Sequence, residues 1–191
     1  MRAGGGKAKG NGFEGVVAKK LSESLSPLKF IRTQSSGARV GGKNFETLGQ
    51  MFGADALKLF VGDVVPVNEK EAGVVFKHSI ETKFYKTPDN FTALVAGTAN
   101  VFRWMIEAEE DAVKVGRSPL LIFKWNNTPI FTAVSGIGIE PNRLELRKDG
   151  KSIYVTYLDD LLKYPQFWFD RITSKEIPNE SQEGQEAPSA N

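Results

Sequence analysis

Two apolar segments in the middle of the chain, separated by a polar turn, constrain the fold more than any other feature. Residues 61–67 and 74–85 are rich in β-branched and aromatic side chains, and residues 68–73 between them are polar. Runs of this kind favour β-strands, and a short polar connection favours an antiparallel hairpin. The sequence therefore predicts two neighbouring strands in the centre of the chain.

The second of these segments carries two charged residues at alternate positions, Glu81 and Lys83. Because side chains alternate along a strand, both project from one face, about 7 Å apart at their Cα atoms. If the two strands pair, Asp63 near the start of the first segment can approach Glu81, so that two carboxylates converge beside an ammonium. The alternative interpretation of the same three residues is a cross-strand salt bridge on a solvated face.

A converging pair of carboxylates suits a particular chemistry. Mg²⁺, or Mn²⁺ in its place, is a hard cation that prefers carboxylate oxygens, keeps several waters and bridges to substrate phosphates. Asp63 and Glu81 are the candidate ligands. Lys83 could orient or help to deprotonate a metal-bound water and offset the charge that builds up on phosphorus.

The residues that are missing exclude several other chemistries. The 191 residues include no Cys and one His, which rules out disulfides, thiol nucleophiles and iron–sulfur clusters and leaves too few ligands for zinc. A Ser-His-Asp site would have to use His78, which alternation places opposite Glu81 and which we expect to be a packing residue. The chain has no Gly-x-x-x-x-Gly-Lys-Ser/Thr loop, so no nucleotide cofactor is expected.

Helical and strand patterns alternate along the rest of the chain. Apolar spacing predicts a first helix at 13–25, a strand at 28–33 and the two central strands at 61–67 and 74–85. A long helix follows at 91–115, capped by Asp89 or Asn90 and stopped by Gly116. Two further strands are predicted at 120–125 and 130–134, and a late hairpin at Asp149-Gly150 joins 144–147 to 152–157. This order predicts an α/β fold with a mixed central β-sheet flanked by helices.

Composition divides the chain into three parts. We expect a flexible basic arm at 1–11, a single domain at 12–172 and a disordered acidic tail at 173–191. Without its tail, the chain has 24 basic and 19 acidic residues, a moderate excess that permits a nucleic-acid partner. No targeting segment or long apolar run is evident, so we expect a cytoplasmic protein without a membrane partner.

Taken in order, the motifs resemble those of the PD-(D/E)xK nuclease superfamily, and within it the Holliday-junction resolvases of archaea and small bacteriophage endonucleases. The resemblance covers residues 7–135. The matching residues are Glu14 leading into the first helix, Ser35-Ser36-Gly37 after the first strand, Gly62-Asp63-Val64, and Glu81-Thr82-Lys83.

The resemblance implies a restriction-endonuclease-like core and a divalent-metal-dependent DNA endonuclease with catalytic residues Asp63, Glu81, Lys83 and Glu14. Glu14 would contact the metal either directly or through one of its ligands, although a carboxylate in the first turn of a helix is equally typical of solvent exposure. The implied substrate is branched or structured DNA in recombination, repair or phage DNA processing. Symmetric cutting of a junction also predicts a homodimer.

Five other residues are candidates for DNA binding. Ser35 and Ser36 could donate hydrogen bonds to a phosphate beside Arg39, and Lys9 and Lys19 could follow the DNA backbone. A plain turn and solvated lysines are the alternatives. Two other functions also remain open, a non-catalytic DNA-binding protein on a nuclease fold and a sequence-specific endonuclease of duplex DNA.

Overall fold

The computed structural model describes residues 5–33, 59–136 and 143–172. Its helices and strands follow one another in this order: α1 (Gly5–Ser24), β1 (Phe30–Arg32), β2 (Val64–Pro66), α2 (Glu69–Ala72), β3 (Val74–Phe76), β4 (His78–Tyr85), α3 (Phe91–Val95), α4 (Asn100–Val115), β5 (Ser118–Trp125), β6 (Phe131–Ser135), β7 (Leu144–Lys148), β8 (Lys151–Tyr157), α5 (Leu158–Leu161), α6 (Pro165–Trp168) and β9 (Phe169–Arg171).

Within these residues, seven strands form one mixed sheet in the order β1-β2-β4-β5-β6-β8-β7. Strands β4 and β5 are parallel, and every other neighbouring pair is antiparallel. A parallel pair requires a crossover between its strands, and α3 and α4 provide it. The predicted α/β class with a mixed central sheet flanked by helices is confirmed.

Helix α1 covers one face of the sheet. Its buried side chains recur at helical spacing and pack against alternate residues of the central strands, among them Ile80, Leu120 and Ile122. The buried residues of the helix are Phe13, Val17, Ala18 and Leu21, with Leu25 just beyond its end. Val16 is also apolar and lies within the predicted helix 13–25, but it is 54% exposed.

Helix α4 covers the opposite face, where its buried side chains meet Leu121 and Phe123 of β5 and the inner residues of β6 to β8. The helix ends at Gly116, which has the left-handed conformation (φ 63°) expected of a C-terminal cap. Asn90 caps α3 by accepting a hydrogen bond from the backbone N–H of Ala93. The single helix predicted for 91–115 is wrong, because the chain turns at Gly97 (φ 68°) between α3 and α4.

The prediction of a hairpin in the centre of the chain is correct for the pairing of the strands but wrong for the segment that connects them. Strands β2 and β4 do pair antiparallel, with Val64 opposite Ile80. The residues between them, however, form α2 and β3, and β3 leaves this sheet to pair with β9 in a separate two-stranded sheet. The late hairpin at Asp149-Gly150 forms as predicted between β7 and β8.

Helix α1 begins at Gly5, and so it includes residues 5–11 of the segment predicted as a flexible arm. The remaining residues of that arm and the acidic tail lie outside the described residues, as do residues 40–58 of the segment 40–60, for which the sequence pattern predicts no definite structure. No helix in the part of the chain that the structure describes is long and apolar enough to cross a membrane.

Candidate active site

The backbone around Gly62 brings Asp63 to the edge of strand β4. Gly62 has a φ of +92°, and a Cβ atom at this position would lie 2.9 Å from the carbonyl oxygen of Ile80. Only glycine accommodates both the conformation and this close approach. The N–H of Asp63 then donates to the Ile80 carbonyl (2.7 Å), and its own carbonyl accepts from the N–H of Thr33 (2.9 Å). Asp63 is thus held from both sides by main-chain hydrogen bonds.

The side chain of Asp63 is oriented by Thr82. One carboxylate oxygen, Oδ2, accepts hydrogen bonds from the backbone N–H of Thr82 (2.8 Å) and from its hydroxyl (3.0 Å). Thr82 lies between Glu81 and Lys83 in β4, so these hydrogen bonds connect the predicted aspartate directly to the predicted Glu-x-Lys motif. A carboxylate that accepts two hydrogen bonds has little rotational freedom.

Glu81 and Lys83 form an ion pair that is mostly buried. Lys83 Nζ lies 2.7 Å from Glu81 Oε1, and the two side chains are only 21% and 14% exposed. The solvated-face interpretation of these residues is therefore wrong. Removing two charges from water costs several kcal/mol for each ion, so an arrangement of this kind in a strand is more typical of a functional site than of a stabilising contact.

A fourth charged residue, Glu107 of α4, completes the surroundings of the lysine. Its Oε2 atom lies 2.7 Å from Lys83 Nζ, on the side of the sheet that α4 covers. Lys83 therefore contacts one carboxylate from its own strand and one from the helix packed above it.

Glu81 has an unusual affinity for its proton. Burial, together with the nearby Asp63 carboxylate, raises the pKa of Glu81 to about 7, even though the charge of the Lys83 ammonium and its hydrogen bond act in the opposite direction. Asp111, on α4, adds a weaker effect that also raises the pKa. Two carboxylates that repel each other at partly buried positions form a site that a divalent cation would stabilise.

The pKa of Lys83 is shifted in the opposite direction to that of a lysine that acts as a base. Burial alone would lower its pKa, but the Glu81 carboxylate and the hydrogen bonds that Lys83 donates to Glu107 and Glu81 together raise the pKa above its ordinary value. The side chain is therefore an ammonium near neutral pH. It can donate hydrogen bonds and offset negative charge, but it does not accept a proton.

Glu14 reaches the same region from helix α1. Burial and the Asp63 carboxylate raise its pKa, while Arg32 of β1 acts in the opposite direction. The structure thus places all four predicted catalytic residues, Glu14, Asp63, Glu81 and Lys83, around one end of β2 and the middle of β4.

The predicted DNA-binding residues are not brought together in the same way. Lys19 is exposed on α1, with its Nζ atom 3.8 Å from Glu23. Lys9 belongs to α1, but its side chain lies outside the described residues, as do Ser35, Ser36 and Arg39. Their roles remain predictions.

Sequence reasoning missed Thr82 as the orienting residue and missed the acidic residues Glu107 and Asp111. A usable signal was present for the latter two. Both directly precede a buried alanine, Ala108 and Ala112, so they lie at the border of the helix face that packs on the sheet. Charged residues at that border are positioned to reach the strand below.

The donor set fits a hard divalent cation. Asp63 and Glu81 offer carboxylate oxygens, which Mg²⁺ and Mn²⁺ prefer, and their mutual repulsion would be relieved by such an ion. Among the described residues, no group of three or more His, Asp or Glu side chains is arranged to hold a metal. Asp63 and Glu81 would supply two carboxylates, with further positions open to water and substrate oxygens, as is common for Mg²⁺.

A mixed sheet between two helical layers, with an aspartate beside a Glu-x-Lys strand, defines a nuclease core of the restriction-endonuclease type. Residues 5–164 match the model of a family described as "Phage putative PDDEXK endonuclease", and the chain belongs to that family. Searches of curated proteins and of solved structures each found no match. The predicted PD-(D/E)xK superfamily is thus confirmed, and with it the class of nucleases, which generally use divalent metals.

Proposed function

We propose that the chain is a Mg²⁺-dependent endonuclease that hydrolyses phosphodiester bonds in DNA, with Asp63 and Glu81 as metal ligands. The proposal is carried by one observation, the pair of hydrogen bonds from Thr82 to the Asp63 carboxylate. These hydrogen bonds hold Asp63 next to Glu81 and Lys83, the residues on either side of Thr82. A non-catalytic DNA-binding protein would not need to bury these charges side by side.

Each residue has a defined task in this reaction. A bound divalent ion would supply Lewis-acid stabilisation of the phosphate and a water of lowered pKa. Lys83, held as an ammonium, donates hydrogen bonds to the attacking water or to the phosphate oxygens and offsets their growing negative charge. Thr82 keeps Asp63 in a fixed orientation, and Glu14 adds a third carboxylate at the α1 side of the site.

We further propose that the substrate is branched DNA and that the active form is a homodimer. Support comes from the order of motifs shared with junction resolvases. Two symmetric cuts in a four-way junction require two active sites related by a twofold axis. Ser35, Ser36 and Arg39, with Lys9 and Lys19, would contact the DNA backbone outside the cleavage centre.

Cleavage of matched DNA substrates tests the proposal. A four-way junction and a linear duplex built from the same arm sequences are incubated with the chain in Mg²⁺, Mn²⁺, Ca²⁺ or EDTA. We expect cleavage of the junction in Mg²⁺ and Mn²⁺, and binding without cleavage in EDTA. Asp63→Asn, Glu81→Gln and Lys83→Met should each lower the rate by about a thousandfold or more, within the range that individual active-site groups contribute. Glu110→Gln, on the exposed side of α4, is the control.

The outcomes separate the competing functions. Cleavage of the linear duplex at a single sequence would replace the junction preference with a sequence-specific endonuclease. DNA binding without cleavage in any divalent metal would contradict the enzyme and favour a non-catalytic binder. Light scattering of the free chain at the assay concentration gives the oligomeric state, and a monomer that still cuts both strands of a junction would contradict the homodimer.

A further inference from the structure

Lys83 is held by two carboxylates that come from different parts of the fold. Its Nζ atom lies 2.7 Å from Glu81 Oε1 within β4 and 2.7 Å from Glu107 Oε2 on α4. One acceptor would be enough to pair the ammonium. The second acceptor therefore needs an explanation beyond charge neutralisation.

The two acceptors have different tasks under the proposed function. Glu81 is a metal ligand, and an oxygen that donates electron density to a dication is a poorer acceptor for a neighbouring ammonium. The cation and the ammonium also repel each other at this distance. Without another partner, Lys83 would be driven from its position when Glu81 binds the ion.

We propose that Glu107 is a positioning residue: it holds the ammonium of Lys83 in place when Glu81 binds the metal. This inference rests on the proposed function for its metal-loaded state, whereas the contact between Glu107 and Lys83 is observed directly. Glu107 acts through Lys83 and is not itself a ligand.

The placement of Glu107 suits this task. Its carboxylate approaches from the helical layer, whereas Asp63 approaches from the neighbouring strand. The side chain is 43% exposed, so its charge needs little desolvation, and Arg103, one turn earlier, lies 3.8 Å from its other oxygen. Arg103 therefore forms an ion pair with Glu107 along the helix and restrains its side chain.

The ammonium of Lys83 can be followed directly by NMR. In protein with ¹⁵N-labelled lysine, an ammonium held by carboxylates exchanges its protons slowly enough to give a separate signal. Lys83→Arg assigns the signal by removing it. Glu107→Gln keeps the shape of the side chain and removes the charge, and Glu110→Gln makes the same change at an exposed position of the same helix.

Without metal, we expect the Lys83 protons to exchange at least about fivefold faster in Glu107→Gln than in Glu110→Gln, because a charge-assisted hydrogen bond is weakened. After addition of Mg²⁺, the signal should persist in the wild type and in Glu110→Gln and disappear in Glu107→Gln. In the junction assay, Glu107→Gln should lower kcat by about tenfold or more with KM within about twofold, because substrate binding does not use this residue.

Equal exchange rates in Glu107→Gln and Glu110→Gln without metal would overturn the inference, whatever the metal does. So would loss of the wild-type signal on addition of Mg²⁺. If Mg²⁺ leaves every β4 resonance of the wild type unchanged and no DNA is cut, the proposed function fails. In that case, equal exchange in the two variants overturns the positioning role as well, whereas faster exchange in Glu107→Gln retains Glu107 as the residue that holds Lys83.

Discussion

Thr82 donates two hydrogen bonds to the carboxylate of Asp63, one from its backbone N–H (2.8 Å) and one from its hydroxyl (3.0 Å). The middle residue of the Glu-x-Lys motif therefore has a structural task of its own. It connects the aspartate, which follows a glycine turn, to the strand that carries the glutamate and the lysine.

The hydroxyl of Thr82 can be removed with little change in shape. Thr82→Val keeps the backbone hydrogen bond and loses the side-chain one, so we expect unfolding free energy to fall by about 1 kcal/mol, the usual worth of such a bond. Looser orientation of Asp63 should lower the cleavage rate by about tenfold. Chemical denaturation and the junction assay measure the two effects.

Thr156 provides the matched control. It lies in β8, three strands from β4 in the sheet, and its buried hydroxyl has no hydrogen-bond partner within the described residues. Thr156→Val should leave cleavage unchanged and raise unfolding free energy by about 1 kcal/mol, because an unsatisfied buried group is removed. Equal effects of both substitutions on cleavage would contradict the orienting role of Thr82.

Gly62 allows a backbone comparison. Gly62→Ala introduces a Cβ atom 2.9 Å from a main-chain oxygen in addition to an unfavourable positive φ. Gly116→Ala has a positive φ alone, since nothing lies within 4 Å of its Cβ position. We expect a loss of about 1 kcal/mol of stability for Gly116→Ala, the cost of the left-handed conformation. Gly62→Ala should lose about 3 kcal/mol or more, because the backbone must also shift.

Gly62→Ala and Gly116→Ala are compared in both stability and activity. Urea unfolding measures stability, and the cleavage rate of the folded fraction reports whether Asp63 has moved away from Thr82. A Gly62→Ala protein that is as stable and as active as Gly116→Ala would show that the close approach to Ile80 is not required.

Glu81 gives the metal-free protein a specific pH dependence. Its pKa is about 7 in the fold against an ordinary value of 4.5, so the folded state holds this proton more tightly than the unfolded state. The stabilisation from this proton is complete below pH 4.5 and is lost as pH rises through 7. At pH 8, the unfolding free energy of metal-free Glu81→Gln should therefore exceed that of the wild type by about 3 kcal/mol, and the two values should converge near pH 4.

Metal binding follows the opposite trend, because the ion requires the ionised carboxylate. Affinity of the wild type for Mn²⁺, measured by calorimetry, should rise with pH until about pH 7 and then level off. An affinity that does not change between pH 5 and 8, measured at several points on the order of one pH unit apart, would contradict Glu81 as a ligand.

His78 contributes a pH effect of the opposite sign. Burial lowers its pKa from 6.5 to about 4, and its Nε2 atom donates to the carbonyl oxygen of Phe167 (2.8 Å). The folded state therefore binds this proton more weakly than the unfolded state. Stability from the neutral imidazole is present above pH 6.5 and is lost as pH falls through 4.

The variant His78→Phe isolates this effect. Its ring can still stack on Phe167, whose centroid lies 4.3 Å from that of the imidazole, but it does not titrate. Between pH 6.5 and 4, the wild type should lose stability more steeply than the variant, whatever the absolute difference between them. Parallel slopes in urea unfolding would contradict a buried neutral histidine.

The layers of the fold and the order of the site residues could be predicted from the sequence, because both follow from local periodicity. Alternation along β4 places Glu81 and Lys83 opposite Ile80, and the structure confirms it. The glycine that stops α4 and the late hairpin depend on similarly short patterns. Such features need only a few neighbouring residues to be specified.

The incorrect predictions involve contacts between distant residues. The turn after β2 becomes helical α2, where Glu69 accepts a hydrogen bond from the N–H of Phe76 and pairs with Arg117, 48 residues away. Strand β3 leaves the central sheet because β9, at the far end of the described chain, pairs with it. No local pattern in residues 68–76 contains this information.

The buried face of α4 shows a second limit of pattern reading. Val113, which its apolar side chain would place on the face that packs on the sheet, is 82% exposed, whereas Ala112 is buried. Small residues pack best where a helix lies close to a sheet. A prediction of the buried face of α4 from hydrophobicity alone is therefore displaced by about one residue from the face that the structure shows. That shift also hid Glu107 and Asp111, which lie at the border of the true face.

Diffraction from crystals grown with Mn²⁺ tests the central claim most directly, because the anomalous signal locates the ion without reference to activity. We predict a peak bonded to one oxygen each from Asp63 and Glu81 at about 2.1–2.2 Å, close to the distances of Mg²⁺ sites. Lys83 should lie beside it and remain in contact with Glu107. A peak bonded to only one of the two carboxylates, or a fully occupied ion elsewhere with none between them, would contradict the account.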